Sequence, residues 1–275
     1  MATIKENKAF WDGDYDWMEE GHEWSRAWGG ADMQWHGTIM PRLHRYVPVN
    51  TVLEIAPGFG RWTNYLKDLC NRLILVDLSK KCIDGCRKKF SAYSNIEYHV
   101  NDGSSLAMVP DEEVDLVFSF DSLVHAERDV MESYVKQIAQ KLSKDGVAFI
   151  HHSNIGEYKS YYRFWESTLW PKSIIEWFKE KKWIEPYDHW RAFSMTGRLM
   201  EKMIKDAGLF CMTQEYINWG TKPNHLIDCI TVFSKRGSKW EGNTRRLYNR
   251  NFMKEAGLIS ELSKLYGVGA GKKRG

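Results

Sequence analysis

Short apolar runs alternate with longer amphipathic ones through the middle of the chain. Thr51-Val52-Leu53-Glu54-Ile55-Ala56 reads as a strand, bounded by Pro48 and the Pro57-Gly58 turn. Leu73 to Asp77, Ile96 to Val100, Val114 to Phe120 and Val147 to His151 read as four more. Between them, Arg61 to Asn71, Cys82 to Phe90 and Asp129 to Leu142 read as helices, the last with Val130, Tyr134, Ile138 and Leu142 on one face. Thr196 to Gly208 predicts a further helix, and Phe210 to Ile217 and Leu226 to Ser234 two further strands. Near-continuous apolar strands joined by helices imply a mostly parallel sheet covered on both faces. The expected fold is α/β, Rossmann-like and doubly wound, with seven strands. Residues 49–235 form that domain, 1–48 an N-terminal helical cap, about 156–193 an inserted helical lid, and 236–275 a basic helical tail whose end from Gly269 frays.

Composition narrows the class. The chain has 275 residues, 43% of them hydrophobic and 14% aromatic, which excludes a disordered chain. No apolar run is long enough for a membrane span, and the N-terminus has no signal-peptide core. The five scattered cysteines read as reduced thiols, so a cytoplasmic location is expected. Tryptophan is unevenly placed. Trp11, Trp17, Trp24, Trp28 and Trp35 precede the sheet, Trp165, Trp170, Trp177, Trp183 and Trp190 follow its fifth strand, and only Trp62 lies between. Formal net charge is +3, but residues 236–275 carry ten Lys/Arg against three Asp/Glu. An RNA-binding protein using this tail is the reading from another class. The imbalance is small for a nucleic-acid binder, and a solvated helix accounts for it.

In parallel sheets ligands bind beyond the carboxyl ends of the strands. There the chain reads Glu54-Ile55-Ala56-Pro57-Gly58-Phe59-Gly60, then Asp77-Leu78, then Asn101-Asp102-Gly103, then Phe120-Asp121. The glycine turn lets backbone approach a ligand. An acid ending the second strand can take both hydroxyls of a ribose. Any one of these acids could be a turn or capping residue. Their recurrence at successive strand ends points to a nucleoside.

From about Val52 to Ser153 this set resembles the class I S-adenosylmethionine-dependent methyltransferases. The resemblance implies that Glu54 opens the cofactor motif, orienting the turn near the methionine amine, with Ala56, Gly58 and Gly60 at its small positions. Ala56 departs from the usual glycine. By the same resemblance Asp77 binds the ribose, Leu78 flanks the adenine, Asp102 and Gly103 meet its edge, and Phe120 offers backbone near the methionine. A nicotinamide dehydrogenase fits less well: position 63 is Thr where Gly-x-Gly-x-x-Gly needs glycine, and no Tyr precedes a Lys by four residues. The Gly-x-x-x-x-Gly-Lys of a P-loop is absent.

Methyl transfer to oxygen needs positioning and a base. The Asn/Asp-Pro-Pro-Tyr turn of base amino methylation is missing after Phe120. Histidine suits a hydroxyl acceptor because its pKa lies near neutrality. His125 follows the fourth strand, and His151-His152 end the fifth. Adjacent strand residues face opposite ways, and His152 lies further toward the carboxyl end. The candidate bases are therefore His152, His125 and Asp121. Asp121, His125, Glu127 and His152 are metal-ligating types. The fifth strand end lacks the Asp/Asn pair of metal-dependent relatives, so no metal is expected.

Asp121-Ser122-Leu123-Val124-His125, His151-His152-Ser153-Asn154 and Trp190-Arg191-Ala192-Phe193-Ser194 look similar to methyltransferases of bacterial sugar and surface-polysaccharide gene sets. That resemblance implies O-methylation of a sugar, carried as a nucleotide sugar or glycan. Trp28, Trp35, His36, Trp190, Arg191 and Asn154 would then line the acceptor pocket, each Trp being equally readable as packing. Another small hydroxyl or amine metabolite is the alternative acceptor. Oligomeric state is left open.

Overall fold

A computed structural model describes residues 3–166, 171, 173–174, 176–177, 181, 191–220 and 224–267. The eight strands are β1 (Val49–Ile55), β2 (Cys70–Asp77), β3 (Ile96–Val100), β4 (Val114–Ser119), β5 (Leu142–Ser153), β6 (Leu209–Ile217), β7 (Asp228–Lys235) and β8 (Arg245–Asn249). They form one sheet in the order β3-β2-β1-β4-β5-β7-β6-β8. β3, β2, β1, β4 and β5 run parallel, and β7 is antiparallel to both its neighbours. The chain order reverses beside β1, so a crevice opens past the ends of β1 and β4.

Alternating strand residues feed two cores. On one face Leu53, Ile55, Val117 and Ala148 pack against the Arg128–Lys141 and Gly197–Asp206 helices. On the other, Val52, Phe118 and Phe149 pack against Trp28, Trp35 and Phe252, with Phe118 and Phe149 stacked at 5.6 Å. Local signals set the helix ends. The Ser79 hydroxyl accepts from Cys82 N at the start of Lys80–Lys89, and Thr196 accepts from Leu199 N ahead of Gly197–Asp206.

Three expectations change. The sheet has eight strands, not seven. The extra one comes from the segment expected to be a basic tail: β8 lies parallel to β6, from Thr213↔Arg245 to Ile217↔Asn249. Without it the backbone of β6 would be a bare edge. Arg245-Arg246-Leu247-Tyr248 gives no apolar alternation, because an edge strand faces solvent. The Phe252–Gly267 helix then buries Phe252 and Ala256. Two of the segment's cations are paired, Arg236 with Glu241 and Arg246 with Glu201. Its last residues, 268–275, lie outside the described ones.

The expected Arg61–Asn71 helix shrinks to Thr63–Leu66. Leu69 O accepts from Val49 N, and this bond draws the chain into the sheet early. β5 begins five residues before its apolar run, at Leu142. A Cβ on Gly146 would stand 2.5 Å from Val114 O, so only glycine lets the two strands lie this close. Of the expected lid, a turn at Ile155–Tyr158 and a helix at Lys159–Glu166 are described, and most of the rest is not.

Candidate active site

A cavity of about 820 Å³ opens past the ends of β1, β2 and β4. Its floor is the turn after β1. Ala56 (φ 56°) and Gly58 (φ 58°) both take the left-handed conformation there and line the cavity. The positive φ is easy for Gly58 and strained for Ala56. Glu54 lies beneath, buried, and accepts from Thr63 Oγ1 at 2.6 Å. Burial raises its pKa to about 8. Gly60 does not line the cavity. Its Cβ would stand 2.4 Å from the Phe90 ring, so it is a packing glycine.

Asp77 and Leu78 line the next wall. The Asp77 carboxylate accepts from Gly58 N at 3.1 Å and Ser79 N at 2.8 Å, and burial raises its pKa to about 6. Gly103 also lines the cavity, with Ile4 of the N-terminal Ile4–Ala9 helix packed against it. Asp102 does not. It is exposed, and its Oδ1 accepts from Ser104 N and Ser105 N, which hold its pKa below the usual range. Asn101, one residue earlier, is the buried one and donates through Nδ2 to Tyr134 Oη. Phe120 lines the cavity, and its carbonyl accepts from Trp62 Nε1 at 3.2 Å.

Asp121 and His125 lie where β4 leads into the cavity. Asp121 has φ 63° and pairs with Arg61 at 2.9 Å. Arg61 is itself 4% exposed, bonds Ser25 Oγ, and stands over the rings of Trp24 (5.1 Å) and Trp62 (4.4 Å). The His125 ring is half-buried, 5.7 Å from Trp11.

His152 is not there. It is fully buried, with Nδ1 2.9 Å from Ser153 O and Nε2 2.8 Å from Thr231 Oγ1. Burial lowers its pKa to about 4. Both nitrogens are occupied inside the sheet, so it cannot take a proton in the cavity. Strand alternation puts the two histidines on opposite faces of the sheet, and it is His151, not His152, that meets the Asp121 backbone.

The expected acceptor residues are also dispersed. Trp28 is buried and donates to Thr38 Oγ1, and Trp35 stacks on Tyr65 at 4.8 Å. Both are core. His36 is exposed and does not line the cavity. Asn154 spends both ends of its amide on backbone, donating to Leu226 O and accepting from Gly197 N. Arg191 is buried against Asp228 through two bonds of 2.9 Å. Trp190 lies outside the described residues. The cavity wall instead takes Trp11, Trp17 and Trp24. Trp17 stacks on Phe59 at 4.6 Å, and Asp12 accepts from Ser79 Oγ at 2.5 Å, so the N-terminal segment is latched across the crevice. These three tryptophans were visible as part of the N-terminal excess. Nothing in their spacing separates them from Trp28 and Trp35. Arg61, beside the glycine turn, carried no signal.

The residues suit S-adenosylmethionine. Small residues at the floor leave room for a nucleoside, and Asp77 retains lone pairs for ribose hydroxyls. Among the described residues no group of three or more His, Cys, Asp or Glu is placed to hold a metal ion. No helix among them is long and apolar enough to cross a membrane.

Residues 52–146 match the family described as a methyltransferase domain. Over 146 residues the chain is 29% identical to phosphoethanolamine N-methyltransferase 3 of Arabidopsis thaliana, covering 51% of this chain and 30% of that protein. The chain thus spans under a third of the length of that curated relative. A methyltransferase structure from Leishmania major, S-adenosylmethionine-dependent by its description, matches with a TM-score of 0.56 at 11% identity, over 84% of this chain and 82% of that one. A structure from Pyrococcus horikoshii matches with a TM-score of 0.51 at 21% identity, over 74% and 88%. These two likenesses speak for the fold. Residues 52–146 thus match a methyltransferase domain, and the fold and the crevice around them agree with that match.

Proposed function

We propose that the chain methylates a hydroxyl of a sugar, with S-adenosylmethionine as donor and His125 as base. One observation carries this reading: a single cavity joins the nucleoside-binding strand ends to a wall of Trp11, Trp17 and Trp24, with His125 and Asp121 between them. Flat indole faces suit the apolar face of a sugar ring, and the carboxylates meet its hydroxyls. When bound, the cofactor supplies a sulfonium methyl for in-line displacement. Asp77 accepts from the ribose, the small residues at 56 and 58 admit the nucleoside, and the N-terminal segment excludes water. His125 takes the acceptor's proton on a ring nitrogen. Arg61 pairs with the Asp121 carboxylate at 2.9 Å and turns it along the wall.

An amine acceptor is the second reading, motivated by the Arabidopsis relative. An aromatic wall can bind an ammonium group. Here, however, the Arg61 guanidinium stands over Trp24, and that cation disfavours a second one.

Calorimetry with S-adenosylhomocysteine comes first, and absence of binding sinks the proposal. Methyl transfer is then assayed on a panel of nucleotide sugars and on phosphoethanolamine. Transfer to phosphoethanolamine alone selects the second reading. His125→Ala is expected to lower turnover by about 10²-fold or more with cofactor affinity unchanged. Unchanged turnover would remove His125 from the chemistry.

A further inference from the structure

The other histidine at the end of β5, His151, does not line the cavity but bonds a residue that does. His151 is fully buried. Its Nδ1 accepts from Asp121 N at 3.1 Å, and its Nε2 stands 3.3 Å from Asp228 Oδ2. Asp228 is fully buried and gripped by Arg191 through two bonds. Phe120 (4.7 Å) and Trp219 (5.1 Å) cover the His151 ring. Asp121 needs holding, because it is a non-glycine residue in the left-handed region. Arg191 and Ala192 follow directly on the inserted segment. Ala192 N donates to Val124 O, one residue before His125.

We propose that Arg191, Asp228 and His151 form a buried relay that holds the Asp121 backbone in its left-handed turn and ties the end of the inserted segment to the cavity. His151 is a positioning residue: it acts through Asp121 and touches no reacting atom. The fit requires one tautomer. Only an Nδ1 without hydrogen can accept from the Asp121 amide, and the proton then sits on Nε2, in charge contact with Asp228 Oδ2 at 3.3 Å without an aligned hydrogen bond. The Asp228 charge favours that tautomer, and Arg191 fixes the carboxylate. A displacement of the Arg191 side chain would therefore be felt at Asp121. The relay's effect on catalysis rests on the reading of Asp121 as part of the acceptor wall. Its geometry does not.

The test is made on the full chain by NMR. In ¹⁵N-histidine-labelled protein, His151 should show a bare Nδ1 and a protonated Nε2. A protonated Nδ1 overturns the relay. Hydrogen exchange at the Asp121 amide should quicken by about tenfold or more in His151→Phe, which has no acceptor, and stay near wild type in His151→Asn, whose Oδ1 replaces Nδ1. A merely structural histidine would not show this rescue. Unchanged exchange in His151→Phe, or equally fast exchange in His151→Asn, overturns it, and the second variant decides if the first does not fold. The same variants are assayed on the nucleotide-sugar panel. A lower kcat in His151→Phe with unchanged S-adenosylhomocysteine affinity supports the catalytic link. Altered exchange with unaltered transfer keeps the relay and instead removes Asp121 from the proposed acceptor wall.

Discussion

The two halves of the cavity are built by different means. On the proposed cofactor side, the strand ends of β1 and β2 present backbone and one buried carboxylate, within a short stretch of chain from Ala56 to Leu78. On the proposed acceptor side, Trp11, Trp17 and Trp24 come from the N-terminus, Arg61 from the glycine turn, and Asp121 and His125 from the end of β4. Local backbone geometry suffices for the first half. The second exists only because distant segments meet, and it is held by a buried ion pair and stacked rings. A nucleoside is recognised by a shape that a turn can make. An acceptor must be surrounded, and surrounding takes side chains from several elements.

Three substitutions test that division. The largest effect is expected from Asp77→Ala, which removes the charged acceptor at the end of β2. S-adenosylhomocysteine affinity should fall by about 10²- to 10³-fold, since hydrogen bonds to a charged group are the strong ones. Retention of affinity would show that the cofactor side does not depend on this carboxylate.

Arg61→Met strikes the acceptor side. It leaves the half-buried Asp121 without its partner and should cost about 1–3 kcal/mol of stability. Adding Asp121→Asn should recover most of that loss, because the orphaned charge is then gone. Denaturant titration of both variants decides. Additive losses would mean that the pair is not coupled.

The last effect, read through pH, concerns Glu54, beneath the floor. The folded protein keeps its proton up to about pH 8, whereas the ordinary value is 4.5. Between those limits the unfolded state binds fewer protons than the folded one, so stability falls as pH rises. Asp77 acts in the same sense up to about pH 6. Glu54→Gln abolishes the Glu54 contribution. Its melting temperature without cofactor should match wild type near pH 4 and exceed it increasingly up to about pH 8, then level off. A difference that does not change with pH would mean that Glu54 is ionised in the folded state.

The adjacent histidines of β5 show where reading the chain stopped. Period two says that His151 and His152 face opposite sides. It does not say which side meets the crevice. That depends on how β7 pairs with β5, and Thr231 of β7 takes His152. Asp102 failed for a related reason. A carboxylate followed by two serines satisfies its own turn more cheaply than it reaches a ligand.

By itself, the sequence determined the parallel core, the crevice at the ends of β1, β2 and β4, and the small and acidic residues Ala56, Gly58, Asp77 and Gly103 around it. These follow from hydrophobic periodicity and from turns that particular residues allow, both local properties. Tertiary structure alone decided that β8 completes the sheet, that Trp11, Trp17 and Trp24 rather than Trp28 and Trp35 face the cavity, and that Arg61 partners Asp121. Each of those depends on which buried surfaces and charges find one another across the chain. Solvent exclusion and charge pairing set that outcome, and neither leaves a period in the sequence.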